Sequence, residues 1–173
     1  DPDVRWPHLV FDEDGIAPAV EALVRAALFA NGVLGTAGTR VLVHKDLKEA
    51  FTAALQQRFQ AVRRGHPLDP AAELGPRPDV AEAALQAGLA RAGQRGSVQP
   101  AGDSGAFIAT AQGLGPGEDA AGPTVWIEHF VDVEHAFERA TMLARGKAVA
   151  VWAKKGNPVL ERATQLPVSA VCL

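Results

Sequence analysis

FANGVLGTAGTRVLVH, Phe29 to His44, carries a helix end, a turn of small residues and a strand in immediate succession. Upstream of it Val20, Leu23, Val24, Ala27 and Leu28 recur at three-and-four spacing, which places them on one apolar face of a helix. Asn31-Gly32 ends that helix, since both residues accept the left-handed backbone of a C-terminal cap. Arg40 to His44 (RVLVH) is apolar and β-branched enough to form a strand. Between them GTAGT, Gly35 to Thr39, offers backbone N–H groups to an anion, although its small side chains favour plain tight packing.

Working outward, HLVF after Pro7 reads as a short buried strand and is followed by an acidic DED turn. The opening stretch therefore completes a strand–helix–strand unit. Beyond it Leu47, Phe51, Ala54, Leu55, Phe59 and Val62 form the stripe of a second long helix that stops at Arg64-Gly65. GHPLDPAAELGPRPD is an ordered loop, and Pro78 opens a third helix that runs through Ala92. RGSVQPAG and GAFIATAQ supply two short strands, and GLGPGEDAAGP is a loop. Strand TVWIEHF, a helix from Val133 to Leu143, strand KAVAVWAK, a helix from Asn157 to Gln165 and a final strand VSAVCL complete the chain. Strands alternating with helices predict an α/β fold, a three-layer α/β/α domain with a mainly parallel sheet covered on both faces, spanning residues 1–173 as a single unit.

Composition narrows the classes of function. The chain has 173 residues, 47% hydrophobic and 21% charged, and so can bury a real core. Its net charge of -3, with no run of Lys or Arg longer than two, argues against nucleic acid as a partner. No apolar stretch reaches the roughly 20 residues of a membrane span, and the N-terminus lacks the basic and apolar segments of a signal peptide, so no membrane partner and a cytoplasmic location are expected. A single cysteine, Cys172, rules out an internal disulfide. Because the chain starts at Asp1 rather than Met, it is expected to be excised from a longer protein.

The chemistry-bearing residues are sparse. Cys172 lies in an apolar terminal strand and reads as a small, inert core residue. Glu128-His129 falls on a strand and Glu134-His135 on a helix, where adjacent side chains diverge, so no metal site is expected and solvated or capping roles are. The run Gly113 to Gly117 lacks the strand-then-helix pairing that would make a phosphate cradle, and its Pro116 removes a backbone donor, so it reads as a surface loop. Trp6, Trp126 and Trp152 are too dispersed for a stacking platform, and the last two are better as core anchors.

Taken in order, these segments resemble the catalytic domain of the aldehyde dehydrogenase superfamily over almost the whole chain. Pro7 to Asp14 followed by Ala19-Val20 is similar to the family's S-P-x-I-V-F-D-D-A-D segment, and Asn31 to Val43 to its G-Q-x-C-T-A-G-x-R segment. Gly65 to Pro70 with Leu74-Gly75-Pro76 echoes G-D-P-L-D-P and its following G-P. Gly122 to Val125 with Val133 to Phe137 echoes E-I-F-G-P-V and its downstream helix. The resemblance implies that Gly35 stands where the family keeps its nucleophilic cysteine, with Val33 at a neighbouring Gln position. A glycine has no side chain to attack a carbonyl. The family's general-base glutamate falls on Asp1, one methylene shorter, with Asp3 and Val4 in place of two glycines. The glutamate that touches the cofactor ribose falls on Asp119, a weak remnant, and its aromatic neighbour on Ala121. The family's NAD-binding domain is formed by sequence upstream of these segments.

The expectation is therefore a catalytically inactive aldehyde dehydrogenase-like domain with a structural, assembly or regulatory role. It is expected to use no cofactor and no metal. Its partners are expected to be another protein, other domains of the same protein, or further copies of itself at the edge that VSAVCL leaves open. The alternative is a fragment of an NAD(P)-dependent aldehyde dehydrogenase whose cofactor domain and nucleophile lie elsewhere, with NAD or NADP as cofactor. A third reading is a module that binds an aldehyde or acyl group without turnover.

Overall fold

The computed structural model describes residues 6–32, 38–77, 79–113, 115 and 122–173. Its centre is a seven-stranded sheet: β1 (Pro7–Val10), β2 (Arg40–His44), β3 (Gly96–Pro100), β4 (Phe107–Ala111), β5 (Thr124–Phe130), β6 (Ala148–Trp152) and β7 (Ala170–Cys172), in the spatial order β3-β4-β5-β2-β1-β6-β7. Every pairing is parallel except that of β3 with β4.

Helices cover both faces, as the near-continuous apolar strands require. Val10, Val41, Val43, Val125 and Ile127 turn to the face covered by α1 (Ile16–Leu28) and α2 (Lys48–Gln60). Phe51, Leu55 and Phe59 repeat every fourth residue on α2 and are fully buried, each burial contributing about 1.5–3 kcal/mol. Leu9, Leu42, Phe130, Val149 and Val151 face the opposite way, toward α4 (Val133–Ala144). The short α5 (Pro158–Ala163) contributes Ala163 to the same cluster. On that face α3 (Asp79–Gly93) packs Leu85, Leu89 and Ala92 on Ala109, Ala111 and Trp126.

Local chemistry sets the boundaries. Asp132 accepts the His135 N–H at 2.8 Å to start α4, and Asn157 accepts the Val159 N–H at 3.1 Å to start α5, caps worth about 1 kcal/mol each. The α2 helix stops at Gln60, short of the Arg64-Gly65 end expected from its stripe. The backbone of residues 63–65 instead pairs with the loop that follows, Glu73 N–H donating to Arg63 O at 2.8 Å and Gly65 N–H to Leu74 O at 3.0 Å. Val62 nevertheless stays in the core. Pro78 lies outside the described residues. Among the described residues no helix is long and apolar enough to cross a membrane.

Candidate functional site

The described residues on either side of 33–37 are the end of α1 and the start of β2. After α1, Ala30, Asn31 and Gly32 all take left-handed backbone, with φ of 49°, 55° and 70°. Gly32 is there because the chain meets Gly122: a Cβ on Gly32 would lie 2.1 Å from the Gly122 carbonyl carbon, and Gly122 N–H donates to Gly32 O at 2.9 Å. Gly38 is constrained in the same way, since a Cβ there would meet Trp6 Nε1 at 1.9 Å and His8 Nε2 at 2.7 Å. Thr39 and Arg40 follow, both buried.

His8 is the polar group the sequence reading missed. It is 4% exposed on β1 and stacks on Trp152, whose Nε1–H donates to His8 Nδ1 at 3.0 Å. That bond leaves the imidazole proton on Nε2, which has no hydrogen-bond partner among the described residues. Burial pushes the His8 pKa down from 6.5 to about 4, so at neutral pH the ring is an uncharged donor and a poor base.

Glu128 corrects the expectation of a solvated side chain. It is 2% exposed and accepts from Arg139 Nε at 2.8 Å and Nη2 at 3.0 Å, with Arg40 Nη1 3.7 Å away. This bidentate pair joins β5 to α4, with Arg40 of β2 beside it. Only three-dimensional proximity reveals it, because Arg139 is eleven residues away on the next element. His129 points to the other face as expected from strand geometry. Burial, and secondarily the Lys48 charge, hold its pKa below the ordinary value. Glu134 is exposed and pairs with Arg162 at 2.8 Å, in keeping with its solvated reading.

Cys172 also corrects the sequence reading: its side chain is exposed rather than in the core. The physical reason is that β7 is three residues long and forms the sheet's edge, so one side of it faces solvent. Its register runs Cys172 to Ala150 to His8, which sets Cys172 two strand spacings, about 10 Å, from the imidazole. A thiol–imidazole pair cannot form across that gap. Trp126 is a core anchor as expected, Trp152 is partly buried, and Trp6 is 41% exposed.

The positions to which the resemblance assigns catalysis and cofactor contact, Gly35, Asp1 and Asp119, lie outside the described residues. So do Val33, Asp3, Val4 and Ala121. Among the described residues no group of three or more His, Cys, Asp or Glu side chains is placed to hold a metal. The turns that lead from strand to helix are also unsuited to a dinucleotide. Asp12, His44, Asp132 and Asn157 already accept from the N–H groups of Gly15, Asp46, His135 and Val159 there. None of those turns is glycine-rich, so none of the four offers a glycine-lined phosphate cradle.

The fold is a three-layer, mainly parallel α/β domain in which a left-handed helix end at Ala30 to Gly32 and Gly122 meet near the amino ends of the inner strands β2 and β5. The Aldehyde dehydrogenase family profile matches residues 5–173. A betaine aldehyde dehydrogenase of Cereibacter sphaeroides is 40% identical over 50% of this chain and 17% of its own. An aldehyde dehydrogenase of Enchytraeus buchholzi is 28% identical over 96% of this chain and 36% of its own. Among solved structures, HpcC from Thermus thermophilus superposes with a TM-score of 0.79 at 24% identity, covering 98% of this chain and 37% of that one. An NAD-dependent benzaldehyde dehydrogenase from Corynebacterium glutamicum gives 0.79 at 20% identity, covering 98% and 38%. The chain belongs to the aldehyde dehydrogenase family. It spans 36% of the length of the Enchytraeus buchholzi relative, although 96% of this chain lies within that match.

Proposed function

We propose that this segment is a non-catalytic aldehyde dehydrogenase-like domain with a structural, assembly or regulatory role in a larger protein. The observation that carries this reading is Gly35 at the place of the family's nucleophile, in a segment that keeps Gly32, Thr36, Ala37, Gly38 and Arg40 around it. Asp1 and Asp119, at the positions of the base and of the ribose contact, depart in the same direction. No described side chain takes over: Cys172 is on the wrong strand, and His8 is held neutral with its Nδ1 occupied. The open edge of β7 supports an assembly role, either with other domains of the same protein or with a second copy.

The relatives favour one alternative. Their greater length leaves room for a cofactor domain and a nucleophile beyond this segment, as in a fragment of an NAD(P)-dependent aldehyde dehydrogenase. Titration with NAD and NADP, followed by assay of aldehyde-dependent reduction of either, separates the two readings. The expected result for this chain is neither binding nor turnover, and Gly35→Cys alone does not create activity. Turnover that survives Cys172→Ala would overturn the non-catalytic reading, as would dehydrogenase activity in Gly35→Cys. Activity of the longer protein that resides outside this segment would favour the alternative.

A further inference from the structure

Where the end of α2 meets the β3–β4 hairpin loop, a pocket of about 470 Å³ is lined by Gln60, Val62, Arg64, Gly102 and Asp103. It holds one guanidinium and one carboxylate. Among the described residues, neither Arg64 nor Asp103 is hydrogen-bonded or ion-paired through its side chain, to the other or elsewhere.

The fold fixes both charges in place. Arg64 pairs through its backbone with Leu74, and Glu73 N–H and Leu74 N–H both donate to Arg63 O. This gives the Gly65–Pro70 segment a local task, which is to close the loop that presents Arg64. Gly105, at φ 74°, makes room for the guanidinium, since a Cβ there would lie 3.1 Å from Arg64 Nη1. Arg77, the other cation at Gly105, is already engaged by Glu82 and by Gly105 O. Arg64 feels Glu82 only at longer range. Asp103 sits on a turn held against α2, where Gly102 at φ 70° packs so closely that a Cβ would lie 3.2 Å from Gln60 Cα. The carboxyl end of α2 favours positive charge near it, which adds to the pull of Asp103 on a cation.

We propose that this pocket binds a small zwitterion, an amino acid with ammonium and carboxylate at its two ends. The carboxylate takes the Arg64 guanidinium, the ammonium takes Asp103 and the end of α2, and the short aliphatic chain lies over Val62. A singly charged ligand of the same length leaves one of the two protein charges without its partner, so it binds more weakly. The proposal is independent of whether the domain retains any dehydrogenase chemistry.

The test is titration of the protein with glycine, β-alanine, 4-aminobutyrate and 6-aminohexanoate, read by NMR shifts of the Gln60 side-chain amide and the Gly102 backbone amide. Propionate and propylammonium are the controls. The expected result is saturable shifts with one preferred chain length, at an affinity about tenfold above either control. Arg64→Gln and Asp103→Asn each weaken that binding about tenfold while leaving the circular dichroism and Tm unchanged, because both side chains are exposed. Saturation by propionate or propylammonium equal to that of the zwitterions would overturn the proposal. So would binding indifferent to Arg64→Gln, or no saturation up to ~100 mM.

Discussion

Acidification gives the most direct measurement of the buried imidazole. The unfolded chain binds a proton at His8 near pH 6.5, whereas in the fold burial lowers that pKa to about 4. Between these values the unfolded state carries more protons than the folded one, so stability rises with pH across the window and is lost as pH falls through it. The group contributes nothing to the slope above pH 6.5. The full shift is worth about 3 kcal/mol at about 1.4 kcal/mol per unit, and most of it is lost by pH 4.5. Glu82 and Glu134 have lowered pKa values, through Gln86 and Arg162 respectively, so their contribution starts to be lost as pH approaches 4.5, equally in both proteins of the comparison. His129 acts in the same sense as His8 and is present in both proteins of the comparison. The assay is urea unfolding followed by tryptophan fluorescence, stepped from pH 7 to pH 4.5, for the parent and for His8→Gln, which keeps an acceptor for Trp152 and cannot titrate. The variant should lose about 2–3 kcal/mol less than the parent over that range. Parallel pH profiles for the two proteins, or an NMR titration that puts His8 near 6.5, would refute the argument that His8 is buried as a neutral donor.

Three further outcomes follow from the packing. Gly38→Ala drives a methyl group into Trp6 and His8, and should lower stability by about 1–3 kcal/mol with a change in tryptophan emission; unchanged urea midpoint and emission would mean that Trp6 does not rest on Gly38. Glu128→Gln leaves Arg139 and Arg40 without their shared buried carboxylate and should cost about 3–5 kcal/mol by urea unfolding at neutral pH. A loss under 1 kcal/mol would show that the pair is solvated in solution. Cys172→Ser should change stability by no more than about 0.5 kcal/mol, and the native thiol should react with a disulfide reagent as fast as the unfolded one; slow native reaction would place it in the core after all.

How far the sequence carried these conclusions depended on the range of the interactions involved. RVLVH and TVWIEHF are read from their residues alone as strands, and the structure makes them the inner strands β2 and β5, covered on both faces. The end of α1 was legible in Asn31-Gly32, although the left-handed turn also takes in Ala30, a residue with no propensity for it. The end of α2 was misplaced because its apolar stripe continues to Val62, while the helix yields earlier to a pairing with residues 73–74 that only tertiary structure supplies. The two polar features at the heart of the domain were invisible for the same reason. His8 meets Trp152 across 144 residues, and Glu128 meets Arg139 from another element, so neither leaves a spacing to be read. Cys172 failed in the opposite direction. VSAVCL is apolar enough for a core, but edge position rather than composition decides exposure.

Of the residues that still resemble the family, those just before β2 and β5 share a physical property. Gly32 from the segment before β2 and Gly122 from the segment before β5 lie against each other, joined by a hydrogen bond, at a distance no side chain on Gly32 would allow. Gly122 in turn has Leu85 of α3 at 2.9 Å from the place of its own Cβ. Thr39, Arg40 and Thr124 beside them are buried. Altering any of these costs packing energy whatever the chain does chemically. The departures, Gly35 for the nucleophile, Asp1 for the base and Asp119 for the ribose contact, fall instead on positions whose family role is to touch substrate or cofactor. A chain under a demand for folding but not for turnover would sort its residues in this way. Restoring one thiol at Gly35 leaves the base and the cofactor contact unrestored, which is why Gly35→Cys is expected to remain silent and why assembly at the β7 edge is the more informative property to measure.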